Sequence, residues 1–210
     1  MSSIHRLKLE RKISCVLRDF SGTLLDVGGK KHDLKRNCKY IEFSNVKYLN
    51  IDPDSKPDYL MPLEEYSKIK NRFDVIICTE VGEYLKAPFE IFQAAHFLLN
   101  SGGAAIITLP SIMAKHGDAE LDLWRFTESG IKELIDQSQF TRYSIEPIGT
   151  LSTTIFDLYR AQRTYIAKRR PTAVIIKIFS LLSFFISYLS IERAHNSQIC
   201  SGYFVVVHKK

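Results

Sequence analysis

Two acidic residues near the N-terminal end each lie at the end of a short apolar run, where a carboxylate can meet a ligand. Asp26 ends the run LLD and precedes Gly28 and Gly29, while Asp52 ends the run YLNID. Ligands of open α/β sheets bind at the carboxyl edge of the strands, and glycine lets the chain turn sharply against them. Asp52 lies about 25 residues after the first motif. This is close to the spacing at which dinucleotide-binding folds place an acid that accepts both hydroxyls of a ribose. The Asp-x-Gly turn alone is equally compatible with a plain strand-to-loop connection.

The residues after this turn argue against a dinucleotide or a nucleoside triphosphate. Lys30 and His32 occupy positions where a dinucleotide loop has its later glycines, so the backbone loses its close approach to a pyrophosphate. No GxxxxGK[ST] motif occurs, which excludes a P-loop.

Short apolar runs alternate with helical stretches, and this alternation predicts a parallel sheet with crossover helices. We expect seven strands, at residues 23–27, 46–51, 58–60, 73–78, 104–109, 142–148 and 203–208. Helices are predicted over residues 6–20, 88–100 and 127–137, with Gly102 and Gly103 ending the second and Thr127 capping the third.

The segment before the last strand departs from this pattern. Residues 151–170 are amphipathic, and residues 173–191 contain a single charge, Lys177. Their length approaches that of a membrane span, but a crossing would leave the last strand on the wrong side of the membrane. A membrane-surface helix, a shallow re-entrant hairpin and a helix buried against the domain remain open. We expect peripheral membrane contact through residues 171–191, assisted by Arg169 and Arg170.

Length and composition indicate one folded domain with an insertion. The 210 residues are 45% hydrophobic and 25% charged, which excludes wholesale disorder. We predict a core over residues 1–150, a helical insert over 151–200 and a final core strand over 201–210. The four cysteines form no CxxC pair or zinc-spaced cluster, so we predict no metal site and a reducing, cytoplasmic setting. The N-terminus lacks the apolar region of a secretory signal.

The excess positive charge lies entirely in the N-terminal quarter. Residues 1–47 contain 11 Lys and Arg against 5 Asp and Glu, which accounts for the whole net charge of +6. An anionic partner, such as a membrane surface or a phosphorylated substrate, and a solvated basic face are both compatible with this asymmetry. Nucleic acid ranks last, because no basic motif with interleaved aromatic residues is present.

A series of sequence motifs between residues 24 and 148 resembles, in the same order, the type-11 group of class I S-adenosylmethionine-dependent methyltransferases. LLDVGGKK resembles the cofactor loop, YLNIDPD the ribose-binding acid and PDYLMPLEEY the segment that flanks the adenine. RFDVIICTEVGEYL resembles the fourth strand with its acidic turn, and FQAAHFLLNSGGAAIITLP the following helix and fifth strand. HGDAELDLWRFTESGIKELI resembles a His…Asp-x-Trp-Arg-Tyr-Thr stretch found in members encoded with glycan-assembly enzymes.

This resemblance implies a fold, a cofactor and a reaction. The fold would be a Rossmann-like mixed sheet of order 3-2-1-4-5-7-6 with helices on both faces and the last strand antiparallel. S-adenosylmethionine would be the cofactor, and methyl transfer would go to an oxygen of a glycan, a lipid-linked saccharide or a related metabolite. The residues implied to hold or enclose the cofactor are Asp26, Gly28, Gly29, Asp52, Leu63, Thr79 and Glu80.

Two departures leave other functions open. The family loop has glycine at alternate positions, whereas Gly28 is followed here by GKKH, and Tyr84 replaces a histidine often found after the fourth strand. A non-catalytic, membrane-apposed partner that keeps the fold is therefore an alternative, although the intact Asp26 and Asp52 argue against it. A nicotinamide-dependent oxidoreductase would need the glycine-rich loop that is absent.

Methyl transfer requires alignment of the acceptor and, for a hydroxyl, a general base. His116, after the fifth strand, is the predicted base, with a solvent-exposed loop histidine as the alternative. Asp122 is predicted to orient it or to contact a sugar hydroxyl, and helix capping is equally compatible. Trp124 and Arg125 are predicted to contact the acceptor by stacking and by charge, although Trp124 also suits packing against the sheet. Glu83, like Glu80, follows the fourth strand near the expected cofactor site, and it is equally compatible with a solvated acid at a helix start.

Overall fold

The computed structural model describes residues 3–31, 43–115, 120–166, 178–179, 182, 185 and 199–210. Its strands are β1 (Gly22–Val27), β2 (Phe43–Asn50), β3 (Tyr59–Leu60), β4 (Phe73–Thr79), β5 (Leu99–Pro110), β6 (Arg142–Ile148) and β7 (Gly202–His208). They form one seven-stranded sheet of order β3-β2-β1-β4-β5-β7-β6. The strands from β3 to β5 pair in parallel, and β7 is antiparallel to both of its neighbours. The predicted fold class and strand order are confirmed.

The central strands are buried on both faces because helices cover both sides of the sheet. Leu25 and Ile76 belong to one core cluster, whereas Leu24 and Ile77 belong to the other. Successive side chains of a strand point to opposite faces, so a continuous apolar run fills two layers at once. Each fully buried side chain of this size contributes about 1.5–3 kcal/mol relative to an exposed one. The central strands thereby form a rigid base for the loops at their carboxyl edge.

Four α-helices are described: α1 (Ile4–Val16), α2 (Glu90–Leu98), α3 (Glu128–Asp136) and α4 (Leu151–Ile166). Ser3 caps α1 by accepting a hydrogen bond from the backbone N–H of Arg6 at 3.0 Å, and Leu9 of this helix packs in the second core cluster. Thr127 caps α3 as predicted, because its Oγ1 accepts from the N–H of Gly130 at 3.1 Å. α2 and α3 pack on the first core cluster, on the opposite face from α1.

Several predicted element bounds were wrong; β2, for example, begins at Phe43 instead of residue 46. Gly102 and Gly103 do not end α2; that helix stops at Leu98, and both glycines lie within β5. Gly102 donates its N–H to the Lys209 carbonyl at 3.1 Å, and Lys209 donates to the Gly103 carbonyl at 2.9 Å, so pairing with the chain beyond β7 extends the strand. The first helix also ends early, at Val16, and continues only as a short 3-10 turn.

The insert predicted before the last strand falls mostly outside the described residues. Within the described part of the chain, no helix has both the length and the apolarity needed to cross a membrane. Four described residues of the segment 171–191 expose more than half of their apolar side chains: Ile178, Phe179, Leu182 and Phe185. The chain then returns to the sheet as β7, between β5 and β6. The division into a core and an insert stays a prediction.

Candidate functional site

The carboxyl edge of the parallel strands brings together most of the predicted cofactor residues. Asp26 is fully buried near the end of β1, where it lies opposite Tyr48 of β2 and Ile77 of β4. Thr79 ends β4 and is also buried. Leu63 is buried in the core cluster that contains the ends of β1 and β2. These residues therefore surround one short stretch of the sheet edge.

The glycine turn after β1 is tied to the strand and loop beside it. Gly28 has a φ of +77°, in the left-handed region that favours glycine, and donates its N–H to the Leu49 carbonyl at 2.8 Å. The Gly29 carbonyl accepts from Nδ2 of Asn50 at 2.9 Å. Lys31 donates its N–H to the Ser55 carbonyl at 3.3 Å. Hydrogen bonds to β2 and to the loop after it therefore fix the position of this turn.

Both glycines are needed for steric reasons. A Cβ on Gly29 would lie 2.2 Å from Oδ2 and 2.3 Å from Cγ of Asp26, so the buried carboxylate occupies the space of a side chain there. A Cβ on Gly28 would lie 2.7 Å from Cγ2 of Val81. The Asp-x-Gly-Gly motif thus places a carboxylate directly beneath a bare backbone turn, a surface that a ligand can approach closely.

Asp52 lies at the predicted position after β2 and is partly engaged. Its Oδ1 accepts from the N–H of Asp54 at 2.9 Å, while its Oδ2 lies 3.5 Å from Nζ of Lys30. Its N–H donates to Oδ1 of Asn50 at 3.0 Å, which fixes the turn. The Asp52 side chain is 39% exposed, so its ion pair with Lys30 is weak, about 0–1 kcal/mol, and a ligand can replace it.

Lys31, the second lysine of this loop, pairs with Asp58, an acid that the sequence did not indicate as a site residue. Oδ1 of Asp58 lies 3.5 Å from Nζ of Lys31 and 3.1 Å from Nζ of Lys47, and Oδ2 accepts from the N–H of Tyr48 at 3.0 Å. Partial burial opposes ionisation of Asp58, but the hydrogen bonds from Lys47 and Tyr48 and the charge of Lys31 outweigh it, so the pKa of this carboxyl is lowered. Both lysines of the unusual loop therefore face carboxylates of the neighbouring turn.

Glu80 lies directly after β4 in a strained backbone conformation. Its φ is +54°, which is uncommon for a residue with a Cβ. The conformation is held by Thr108 of β5: its Oγ1 accepts from the Glu80 N–H at 3.1 Å and donates to Glu80 Oε1 at 2.9 Å. The same Oε1 lies 3.5 Å from Nε2 of His5 in α1. Glu80 therefore lies between the predicted cofactor edge and α1.

His5 was missed by the sequence analysis. It is 5% exposed, and it shares one face of α1 with Leu9 and Ile13 at four-residue spacing. That spacing was the available signal, because it places a histidine on the buried stripe of an amphipathic helix.

The acids and the arginine that follow β4 and β5 form a second cluster. Both guanidinium ends of Arg125 bond to the carboxylate of Asp122, with Nη2 donating to Oδ2 at 2.7 Å, and this raises the pKa of Arg125. Asp122 therefore pairs with Arg125 and does not cap a helix. Glu83 is fully buried, so the interpretation as a solvated acid was wrong. Burial, followed by the charges of Glu83, Asp122 and Glu80, raises the pKa of Tyr84 to about 12.

Trp124 belongs to neither of the two core clusters that cover the sheet. Its side chain is 41% exposed, and its Nε1 donates to the Leu85 carbonyl at 2.8 Å, which anchors the ring edge. Arg125 donates from Nε to the Met113 carbonyl at 3.4 Å, in the loop after β5. His116, the predicted base, lies outside the described residues, so its role stays a prediction.

Comparison with known proteins identifies the family. The sequence matches the family described as Methyltransferase domain over residues 4–144. The chain belongs to this family. The assignment confirms the predicted methyltransferase class, while the predicted subgroup associated with glycan assembly stays a prediction. No curated protein matches the sequence.

Solved structures of methyltransferases share the fold at low identity. A SAM-dependent methyltransferase from Archaeoglobus fulgidus has a TM-score of 0.59 at 13% identity, over 99% of this chain and 95% of that one. Phosphoethanolamine N-methyltransferase 2 of Haemonchus contortus, in complex with S-adenosyl-L-methionine, has a TM-score of 0.56 at 12% identity. The match covers 95% of this chain but 52% of the worm enzyme, so this chain spans about half its length.

A third neighbour has a different reaction in its name. The [4+2]-cyclase SpnF has a TM-score of 0.59 at 13% identity, over 95% of this chain and 80% of that one. The family and the first two neighbours support S-adenosylmethionine as the cofactor that the sequence predicts. The cyclase indicates that the fold alone does not determine the reaction.

Proposed function

We propose that this methyltransferase-family protein uses S-adenosylmethionine to methylate a hydroxyl group of a glycan, a lipid-linked saccharide or a related metabolite. The main support is the Asp26–Gly29 cradle beside Asp52, at the sheet edge where ligands of this fold class bind.

The residues at this edge fit the cofactor. The bare backbone of Gly28 and Gly29 would allow close approach of the nucleoside, and Asp52 would accept the ribose hydroxyls in place of its weak contact with Lys30. Leu63 and Thr79 would form the walls of the pocket. The cofactor supplies a methyl group already activated on a positively charged sulfur, so the protein has to align the acceptor and exclude water.

The exposed Trp124 supports a sugar acceptor. Its anchored ring offers a flat apolar face, and aromatic faces suit the apolar face of a sugar ring. Arg125 is proposed to contact an anionic group of the acceptor. Its N–H groups already donate to Asp122 and to three backbone carbonyls, so such a group would have to replace one of these contacts. The resemblance of the surrounding stretch to glycan-associated methyltransferases supports the same acceptor class.

Calorimetry and methyl incorporation test this function together. Titration with S-adenosylmethionine should give saturable binding, and a tritiated methyl group should appear in at least one member of a glycan panel. Binding without incorporation into any glycan would favour another acceptor or the non-catalytic partner. The absence of binding would contradict the proposed function itself.

We also propose peripheral contact with the cytoplasmic face of a membrane through residues 171–191. The exposed apolar side chains of Phe179 and Phe185 support this contact, and Arg169 and Arg170 would assist by roughly 1 kcal/mol each near anionic lipid. The protein should float with anionic liposomes, and Phe179→Asp with Phe185→Asp should abolish flotation. Wild-type protein that stays at the bottom of the gradient would contradict the contact.

A further inference from the structure

A cavity of about 250 Å³ lies between α1, α4 and the loop after β5. Its lining includes Glu80, so the cavity adjoins the edge where the cofactor is proposed to bind. The walls are largely apolar, with Leu9, Ile112, Met113 and Leu158 among them. A volume of this size holds a small molecule or one end of a larger one.

The hydrogen bonds of His5 determine which of its ring nitrogens holds the proton. Nδ1 of His5 lies 2.7 Å from Oγ of Ser201. Ser201 Oγ donates its only proton to the Ile148 carbonyl at 2.8 Å, so it must accept from Nδ1–H. In the neutral ring Nε2 therefore has no proton and presents a lone pair.

The surroundings of the Nε2 lone pair suit a general base. Nε2 is buried, lines the cavity with the rest of His5, and has no hydrogen-bond partner among the residues that the structure describes. Buried polar atoms are nearly always paired, so this lone pair is open to a donor in the cavity, from a water or from a ligand hydroxyl. Oε1 of Glu80 lies 3.5 Å away, so a carboxylate faces the nitrogen that would receive the proton.

The position of His5 is fixed by α4. The carboxylate of Asp157 accepts from the N–H groups of Ile4 at 3.0 Å and of His5 at 2.9 Å, and it also lies 3.7 Å from Nε of Arg160. This anchor holds the start of α1 over the cavity. The other charged residues that line the cavity are Arg6 and Lys115.

We propose that this cavity receives the hydroxyl of the acceptor that is methylated and that Nε2 of His5 is the general base, an inference that rests on the proposed function. A hydroxyl in the cavity would lose its proton to Nε2 as its oxygen forms the bond to the methyl carbon. The carbon–sulfur bond breaks in the same step, and its electron pair stays on sulfur. The apolar walls favour a hydroxylated acceptor with an apolar portion, and Lys115 can pair with an anionic group on it. Arg6 also lines the cavity, but its Nε already donates to Glu10 at 2.8 Å.

Nitrogen NMR of histidine-labelled protein tests the base without knowledge of the acceptor. Long-range ¹⁵N–¹H correlations, assigned by the signal that His5→Gln removes, should show neutral His5 with its proton on Nδ1. Ser201→Ala, which deletes the acceptor of that proton, should weaken this preference. A proton on Nε2 in the wild-type protein would overturn the proposal.

Turnover provides the second test, with tritiated S-adenosylmethionine and a panel of neutral and phosphorylated methyl glycosides. His5→Gln should lower incorporation about 100- to 10,000-fold while its affinity for S-adenosylmethionine stays within about twofold of wild type. His208→Gln, at the opposite edge of the sheet, is the matched histidine control and should retain turnover.

The outcomes separate this inference from the proposed function. Wild-type turnover in His5→Gln would overturn His5 as the base and leave His116 as the candidate. Loss of cofactor binding in His5→Gln would also overturn it, because His5 would then be structural. Failure of the wild-type protein to bind S-adenosylmethionine would instead contradict the proposed function. If no glycoside is methylated, the position of the His5 proton decides the inference.

Discussion

Gly29→Ala is expected to weaken the binding of S-adenosylmethionine at least tenfold and to lower the free energy of unfolding by about 1–3 kcal/mol. The new Cβ would lie 2.2 Å from the buried carboxylate of Asp26, which is fully enclosed. Either the carboxylate or the turn must move, and loss of one charge-assisted hydrogen bond to the cofactor costs about 1.5–3 kcal/mol. Calorimetry with the cofactor and denaturant unfolding measure the two effects.

Gly102→Ala is the control for a glycine substitution without a clash. Unlike Gly29, Gly102 has a positive φ, +80°, but a Cβ there would meet no described atom within 4 Å. Its substitution should lower the free energy of unfolding by about 1–2 kcal/mol, through backbone strain alone, and leave the affinity for the cofactor unchanged. If Gly29→Ala binds the cofactor as tightly as Gly102→Ala does, the turn beside Asp26 is not part of the cofactor site.

The sheet was predictable because its signals are local. Each central strand is an apolar run long enough to be buried on both faces, and the runs alternate with helical periodicity. The strand order came from the family resemblance. The error at Gly102 has a physical cause: this glycine pairs with Lys209, far away in sequence, so a typical helix-ending signal became part of a strand.

The candidate site was predictable only where its residues are close in sequence to a strand end. Asp26 and Gly29 belong to one motif, so their proximity follows from the local chain. His5 and Ser201 are 196 positions apart and meet where α1 packs against the start of β7, which leaves no short-range signal. The burial of Glu83 and the exposure of Trp124 likewise depend on how two loops meet.

Asp52→Ala is expected to lower the affinity for S-adenosylmethionine at least tenfold, because it removes charge-assisted hydrogen bonds worth about 1.5–3 kcal/mol to the ribose hydroxyls. This variant also removes the carboxylate that accepts from the Asp54 N–H and caps a short 3-10 turn. Loss of such a cap costs about 0.5–2 kcal/mol of stability. Affinity measured by calorimetry and stability measured by unfolding separate the two losses.

Asp52→Asn distinguishes the ribose contact from the turn. The amide oxygen can still accept from the Asp54 N–H, so stability should be retained, while the lost charge should still weaken cofactor binding. Lys30→Ala removes only the 3.5 Å ion pair that competes for Oδ2, and its affinity should equal or exceed that of the wild-type protein. Wild-type affinity in both Asp52 variants would exclude this acid from the site. A lower affinity in Lys30→Ala would show that the lysine itself contacts the cofactor. The loop residues that depart from the family pattern would then be part of the binding site.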